Sequence, residues 1–278
     1  MIHPVLVPFL FACFVIFELD QKSSEEKAKE IPVMPEELTV SMLPSYPGYE
    51  KTNRKVPIGL DTDTLQMYYL SMEQTPAFVI GNAKTGKTNV IKNMLSMVSG
   101  EKVYLFDNKS HELAAYQSRE NVVYASDKST VADALKQIKE DIFARKEDYE
   151  EAKLDDVSLS IESFAKTLPP IYVMVDMLQE LYDNVAEDNS MIDILEEAAR
   201  YGIYVLVTSE FKVKKMTRSK FIEMLLASRE VLILGNIKDQ LLFSYTGVRE
   251  ENRKVEFGYY HNAGINRKVK LILHKGIS

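Results

Sequence analysis

From Val56 onward the chain alternates short apolar runs with stretches whose apolar residues recur at helical spacing. The runs are Ala77–Gly81, Lys102–Asp107, Asn121–Ala125, Ile171–Asp176, Ile203–Thr208 and Glu230–Gly235. Each has the length of a strand, and its core is continuously apolar, as in a strand buried on both faces. Between them, residues 87–98, 130–152, 190–201 and 217–227 read as helices, and a further helix is expected at 238–246. Doubly buried strands alternating with helices predict an α/β fold: a mostly parallel sheet flanked by helices and joined by right-handed crossovers. Near the C-terminus, Phe257-Gly-Tyr-Tyr and Val269-Lys-Leu-Ile-Leu predict a β-hairpin around Asn262-Ala-Gly264. The chain shows no internal repeat and no low-complexity tract.

Ahead of Val56 the pattern is different. Residues 18–55 read as a charged and Pro-rich linker, with seven acidic and three basic residues between Glu18 and Glu37. The prolines of Ile31-Pro-Val-Met-Pro and Leu43-Pro-Ser-Tyr-Pro-Gly48 favour extended chain over long helices. Residues 1–17 carry no charged side chain, and Val5–Phe17 is almost wholly apolar. A spanning helix needs about 20 such residues, and Pro8 interrupts this run. No Lys or Arg precedes it, as a secretory signal requires. This apolar leader is therefore read in two ways: as a membrane contact, or as a buried strand or stray leader.

Composition narrows the class. The 278 residues are 46% hydrophobic and 27% charged, which excludes wholesale disorder and a multi-span membrane protein. A chain of this length buries a large core without help from disulfides. Cys13 is the only cysteine, so no disulfide framework exists, and His3, His111, His261 and His274 lie too far apart in sequence for a Cys/His metal cluster. A net charge of −7 argues against a surface built to grip nucleic acid. The expectation is a reduced, cytosolic globular domain.

The sharpest chemical signal is Gly81-Asn82-Ala83-Lys84-Thr85-Gly86-Lys87-Thr88, a complete GxxxxGK[ST]. It follows the apolar run Ala77–Ile80 and precedes a helical stretch opening at Asn89. That strand–loop–helix context is what phosphate binding requires: glycines let successive N–H groups converge on the phosphates, and the helix N-terminus adds partial positive charge. Residues Gly81 through Asn89 are thus the candidate nucleotide-binding set. Within it, Lys87 is expected to bridge the β- and γ-phosphates and Thr88 to offer its hydroxyl to Mg²⁺. Ile171-Tyr-Val-Met-Val-Asp176 supplies the second half, with Asp176 at a strand's carboxyl end to hold Mg²⁺ through water. Met177 follows Asp176, and a thioether cannot accept a proton from an attacking water. Glu180, one helical turn on, is a candidate surrogate. Ser209, at the end of the next strand, is a candidate γ-phosphate sensor. Arg200 reads either as an arginine finger toward a neighbouring subunit or as a cation beside a glycine helix cap.

Together these residues resemble the FtsK/SpoIIIE branch of the RecA-like P-loop ATPases, over about Val56 to Lys275. The resemblance also rests on Val56-Pro-Ile-Gly-Leu-Asp61, Leu105-Phe-Asp107, the helix–strand step Ala198-Ala-Arg-Tyr-Gly-Ile-Tyr-Val-Leu-Val-Thr208 and the closing Phe257-Gly-Tyr-Tyr. Within that branch the chain is most similar to the C-terminal ATPase domain of EssC-type ATPases of type VII secretion, including Ile31-Pro-Val-Met-Pro-Glu-Glu-Leu38 ahead of the domain. The resemblance implies a RecA-like core spanning residues 56–278, ATP with Mg²⁺ as ligands, and a place at the cytoplasmic face of the cell membrane. It further implies a hexamerising assembly, with partners among the other domains or subunits of a secretion ATPase and among secreted substrate proteins. Such proteins carry upstream membrane helices and further ATPase domains, so the chain is expected to be a fragment or truncated product. Two departures set the functional expectation. Met177 replaces the family's Glu after Asp, and Ser209 replaces the Gln that follows Thr in DNA-pumping members. ATP binding with weak or absent hydrolysis, serving regulation or substrate engagement, is the reading adopted. An active DNA translocase motor and a catalytically dead scaffold for substrate recognition are the alternatives. The basic stretch Lys212-Val-Lys-Lys-Met-Thr-Arg-Ser-Lys220 would serve DNA, but residues 133–162 carry ten acids against five bases, and DNA binding is not expected.

Overall fold

The six apolar runs all become strands. In chain order the strands are β1 (Lys55–Asp61), β2 (Met67–Ser71), β3 (Ala77–Gly81), β4 (Lys102–Phe106), β5 (Val122–Ala125), β6 (Ile171–Val175), β7 (Ile203–Ser209), β8 (Glu230–Leu234), β9 (Phe257–Asn262) and β10 (Ile265–Leu271). The computed structural model describes residues 33–185, 190–211, 219–245, 248 and 254–274. The apolar leader 1–17, the first part of the linker and residues 212–218 of the basic stretch lie outside the described residues.

The strands form one ten-stranded sheet in the order β2-β1-β10-β9-β8-β3-β7-β6-β4-β5. Every pairing from β8 through β5 is parallel. Every pairing from β8 out to β2 is antiparallel. The helices are α1 (Lys87–Met97), α2 (Lys128–Asp155), α3 (Ile161–Thr167), α4 (Leu178–Val185), α5 (Ser190–Asp193) and α6 (Lys220–Leu226). Asp127 opens α2 by accepting hydrogen bonds from the amides of Ser129 and Thr130, with the Thr130 side chain closing a capping box.

The continuous apolar runs have a simple cause. Side chains of successive strand residues point to opposite faces, and here both faces are covered. Phe78, Ile80, Val173, Val175, Val205 and Val207 pack with Leu135, Ile138 and Ile142 of α2 and Leu181 of α4. Their neighbours Val79, Leu105, Met174, Leu206 and Leu232 pack on the other face with Val90, Ile91, Met94 and Leu95 of α1. The sheet is therefore the middle layer of three, and the loops at the carboxyl ends of its parallel strands meet along one edge.

The antiparallel half was less visible in the sequence. β9 and β10 form the expected hairpin, turning through Ala263 and Gly264, both with positive φ. β1 and β2 add two further antiparallel strands. Residues 35–55, read as linker, fall within the same compact unit as the sheet. Leu38 and Leu43 are completely buried, and the Leu38 carbonyl accepts the Leu273 amide at 2.7 Å.

Two helix expectations need correction. The stretch 190–201 is not one helix: α5 gives way to short 3-10 turns at Ile194–Glu196 and Ala198–Tyr201, ended by Gly202 in the left-handed region. The expected helix at 238–246 does not form between residues 238 and 245; only a 3-10 turn, Ile237–Asp239, is present there. The reason is Gln240. Its buried side chain accepts the amides of Leu242 and Phe243 at 2.8 Å each and donates to the Phe243 carbonyl at 2.8 Å. Those bonds satisfy the backbone in a loop form that competes with helix.

Candidate nucleotide site

The loop Gly81–Gly86 leaves the carboxyl end of β3 and enters α1. Gly86, at the helix N-cap, has φ +99°, a left-handed conformation that disfavours a side chain. At Gly81 the constraint is space: a Cβ would lie 2.5 Å from Thr85 Oγ1 and 2.9 Å from Leu234 Cβ. Thr85 Oγ1 donates to the Asn82 carbonyl at 2.8 Å, which holds the loop's bend.

Lys87 is 6% exposed, and its Nζ donates to the carbonyls of Gly81 at 2.9 Å and Asn82 at 2.7 Å. Burial pushes its pKa down, while the charges of Glu210, Asp176 and Glu112 resist that shift.

Asp176, just beyond β6, stands opposite this loop. Its Oδ2 accepts from Thr88 Oγ1 and from Asn108 Nδ2, each at 2.8 Å, and its Oδ1 accepts from Thr208 Oγ1 at 2.8 Å. Burial raises its pKa; the three hydrogen bonds oppose that rise, and the neighbouring Asp107 adds to it. Thr208 also accepts the Met177 amide at 3.0 Å, and Met177 sits at φ +72°. A non-glycine residue held in the left-handed region beside a buried acid marks a strained turn of the kind that clusters at functional sites.

The structure thus brings the loop, Lys87, Thr88 and Asp176 together at one edge of the sheet. Ser209 is there too, but its Oγ donates to the Glu210 carbonyl at 3.1 Å. Glu180 lies in the first turn of α4, and its carboxylate accepts the Lys109 amide at 2.6 Å. The Asn89 side chain faces the C-terminal strand instead of the loop: it donates to the Ile272 carbonyl at 2.6 Å and accepts the His274 amide at 2.7 Å. Arg200 is placed elsewhere. It precedes β7, at the amino ends of the parallel strands, and lines a cavity of about 620 Å³ with Arg54, Glu73, Lys166 and Tyr204.

Asn108 and Thr208 were not singled out by sequence, yet both hold Asp176. The available signal was positional: each stands at the carboxyl end of a strand adjacent to β6. Asp107 completes this layer by accepting the Asn108 amide at 2.8 Å, the Leu113 amide at 3.0 Å and the Tyr124 hydroxyl at 2.7 Å. Burial and that bond push the Tyr124 hydroxyl up to about 12. No group of three or more His, Cys, Asp or Glu side chains suited to a metal ion is found among the described residues, and no described helix is long and apolar enough to cross a membrane.

No family model matches the chain. Over 256 residues it is 24% identical to the ESX secretion system protein EccC of Geobacillus thermodenitrificans (strain NG80-2), covering 88% of this chain and 17% of that protein. The chain therefore spans less than a fifth of that relative's length. Its structure resembles the cytoplasmic domain of EssC with a TM-score of 0.74 at 23% identity, covering 88% of this chain and 49% of that one. It also resembles Thermomonospora curvata EccC (ATPases 2 and 3) in complex with a signal sequence peptide, with a TM-score of 0.62 at 18% identity over 90% of this chain and 45% of that one. The homologues of this chain are type VII secretion ATPases of the EssC and EccC kind, and its fold is that of the RecA-like P-loop ATPases.

Proposed function

We propose that the chain is an ATP-binding domain of a type VII secretion ATPase that holds ATP-Mg²⁺, hydrolyses it slowly and serves regulation or substrate engagement. The observation that carries this reading is the convergence of Lys87, Thr88 and Asp176 around the loop Gly81–Gly86. The donor set fits the ligand. The ammonium of Lys87 is buried and donates to two backbone carbonyls, and a phosphate offers it a better partner. Thr88 and Asp176 are hard oxygen donors that already touch at 2.8 Å, as a Mg²⁺ site with several waters needs. Met177 leaves the turn after Asp176 without an acid to orient water, which supports binding over rapid turnover.

By relation to its homologues, the domain's partners are other domains or subunits of a secretion ATPase, in a hexameric assembly at the cytoplasmic face of the membrane, and the signal segments of secreted proteins. Thermal unfolding with and without ATP-Mg²⁺ tests the binding claim. A ligand at 100 to 1,000 times its Kd stabilises by about 3–4 kcal/mol, so the wild type melts higher with nucleotide. Lys87→Ala removes the charge facing the β- and γ-phosphates and loses that rise. An equal rise in the variant would remove the assignment.

A further inference from the structure

We propose that Glu210 is the carboxylate that faces the terminal phosphate and accepts the proton of the attacking water, the part Met177 cannot play. The inference rests on the nucleotide reading above.

Strand β7 lies between β3, which leads into the phosphate loop, and β6, which leads to Asp176. Ile80 and Ser209 are paired across β3 and β7. The next residues are Gly81, the last of β3, and Glu210, the first beyond β7, so the two strand ends lie side by side. Gly81 is the residue whose carbonyl holds Lys87 Nζ at 2.9 Å. Ser209 is 2% exposed and Phe211 9%, while Glu210 between them is exposed, so its side chain stands in the open space at the strand ends. Among the carboxylates whose charge reaches Lys87, Glu210 acts most strongly, ahead of Asp176 and Glu112. A lysine in this position bridges the β- and γ-phosphates, so an acid beside it on the open side of the cleft borders the γ-phosphate.

The other candidates are engaged. The Ser209 hydroxyl bonds its neighbour's carbonyl, Asp176 is committed to Thr88, Asn108 and Thr208, and Glu180 holds the Lys109 amide. In the step assigned to Glu210, the water oxygen forms a bond to the γ-phosphorus. The bond from that phosphorus to the bridging oxygen breaks, and its electron pair leaves with ADP. The water proton passes to the Glu210 carboxylate and then to the released phosphate.

Two readouts test this in the full chain. A carboxylate at the γ-phosphate repels it, so Glu210→Gln should bind ATP-Mg²⁺ more tightly while leaving ADP-Mg²⁺ affinity unchanged, as measured by calorimetric titration. Turnover should fall about 10²-fold or more, the usual worth of a general base. Glu210→Ala should show the same loss, and Glu151→Gln, which removes an exposed acid on α2, should keep wild-type turnover. Unchanged turnover in both Glu210 variants would overturn the proposal, as would loss of turnover in Glu180→Ala alone, or a wild type with no turnover above the Lys87→Ala background. Failure of wild type to bind ATP-Mg²⁺ at all would instead sink the nucleotide reading, and this inference with it.

Discussion

Thr88 and Asp176, 88 residues apart in sequence, are joined by a hydrogen bond of 2.8 Å from the threonine hydroxyl to carboxylate Oδ2. Thr88 lies in the first turn of the helix after β3 and Asp176 just beyond β6, with β7 between those strands. This is the pair proposed above to hold Mg²⁺, and its assembly leaves a carboxylate buried.

The cost of that burial is measurable through pH. A carboxylate whose pKa is raised by folding binds protons more tightly in the folded chain. The stability it contributes is complete below the ordinary value of 3.8 and is lost as pH rises through the folded-state value. Asn at this position is neutral at every pH, and the surrounding hydroxyls and amide can reorient to meet it. Without nucleotide, Asp176→Asn should melt higher than wild type at neutral pH, and the gap should narrow as pH falls toward about 4. With ATP-Mg²⁺ the variant should gain no stability. A variant that melts lower than wild type at every pH would contradict the burial argument.

Gly81→Ala tests the loop by sterics alone. The new Cβ meets Thr85 Oγ1 at 2.5 Å and, less yieldingly, Leu234 Cβ at 2.9 Å and the Leu234 carbonyl at 3.1 Å. Overpacking of this kind costs about 1–3 kcal/mol. The expected outcome is a lower melting temperature and a weaker response to ATP-Mg²⁺. An unchanged ATP response would mean that the loop does not bind phosphate in this form.

Arg145 offers a contrast away from the site. Its guanidinium donates to the carbonyls of Tyr201 and Pro169 at 2.6 Å each, which ties α2 to the segments entering β7 and β6. Arg145→Ala leaves the carbonyl of buried Tyr201 without its donor, at about 1–3 kcal/mol, while the exposed Pro169 can turn to water. Chemical denaturation should show that loss, while the stabilisation by ATP-Mg²⁺ measured from the new baseline should be kept.

The parallel half of the sheet was legible because burial on both faces writes continuous apolar runs, and β3 matches its run residue for residue. Of the antiparallel half only the β9–β10 hairpin was legible, and of β10 only its buried end, since its first four residues carry no continuous apolar pattern. β2 is half buried and does not announce itself by pattern. The phosphate loop was readable because its mechanism demands fixed residue types at fixed spacing. Asn108, Thr208 and the placement of Glu210 were not, because each acts through strand order and register, which a linear motif does not carry. Gln240 shows the same limit: a side chain that bonds its own following backbone overrides helical spacing.

Assembly gives a further expectation. In a longer secretion ATPase, covalent linkage to neighbouring domains raises the local concentration of each. A domain purified apart from such neighbours lacks that tether. Sedimentation at micromolar concentration should show a monomer or weak oligomer. A stable hexamer without nucleotide would contradict this, and would favour Arg200 as a residue reaching a neighbouring subunit.

The site should bind ATP-Mg²⁺ well and turn it over slowly, because position 177 carries no acid and Glu210, at the end of a different strand, is the carboxylate left to serve in its place. The most direct test is calorimetric titration of ATP-Mg²⁺ into wild type and Met177→Glu, with phosphate release followed in the same samples. Both proteins should bind, the variant equally or slightly more weakly, since a carboxylate is added near the phosphates. Wild-type turnover should lie well below the common enzyme range of about 1–10³ per second, and the variant should be faster. Brisk turnover by wild type, with no gain in Met177→Glu, would contradict the account and make the domain a motor.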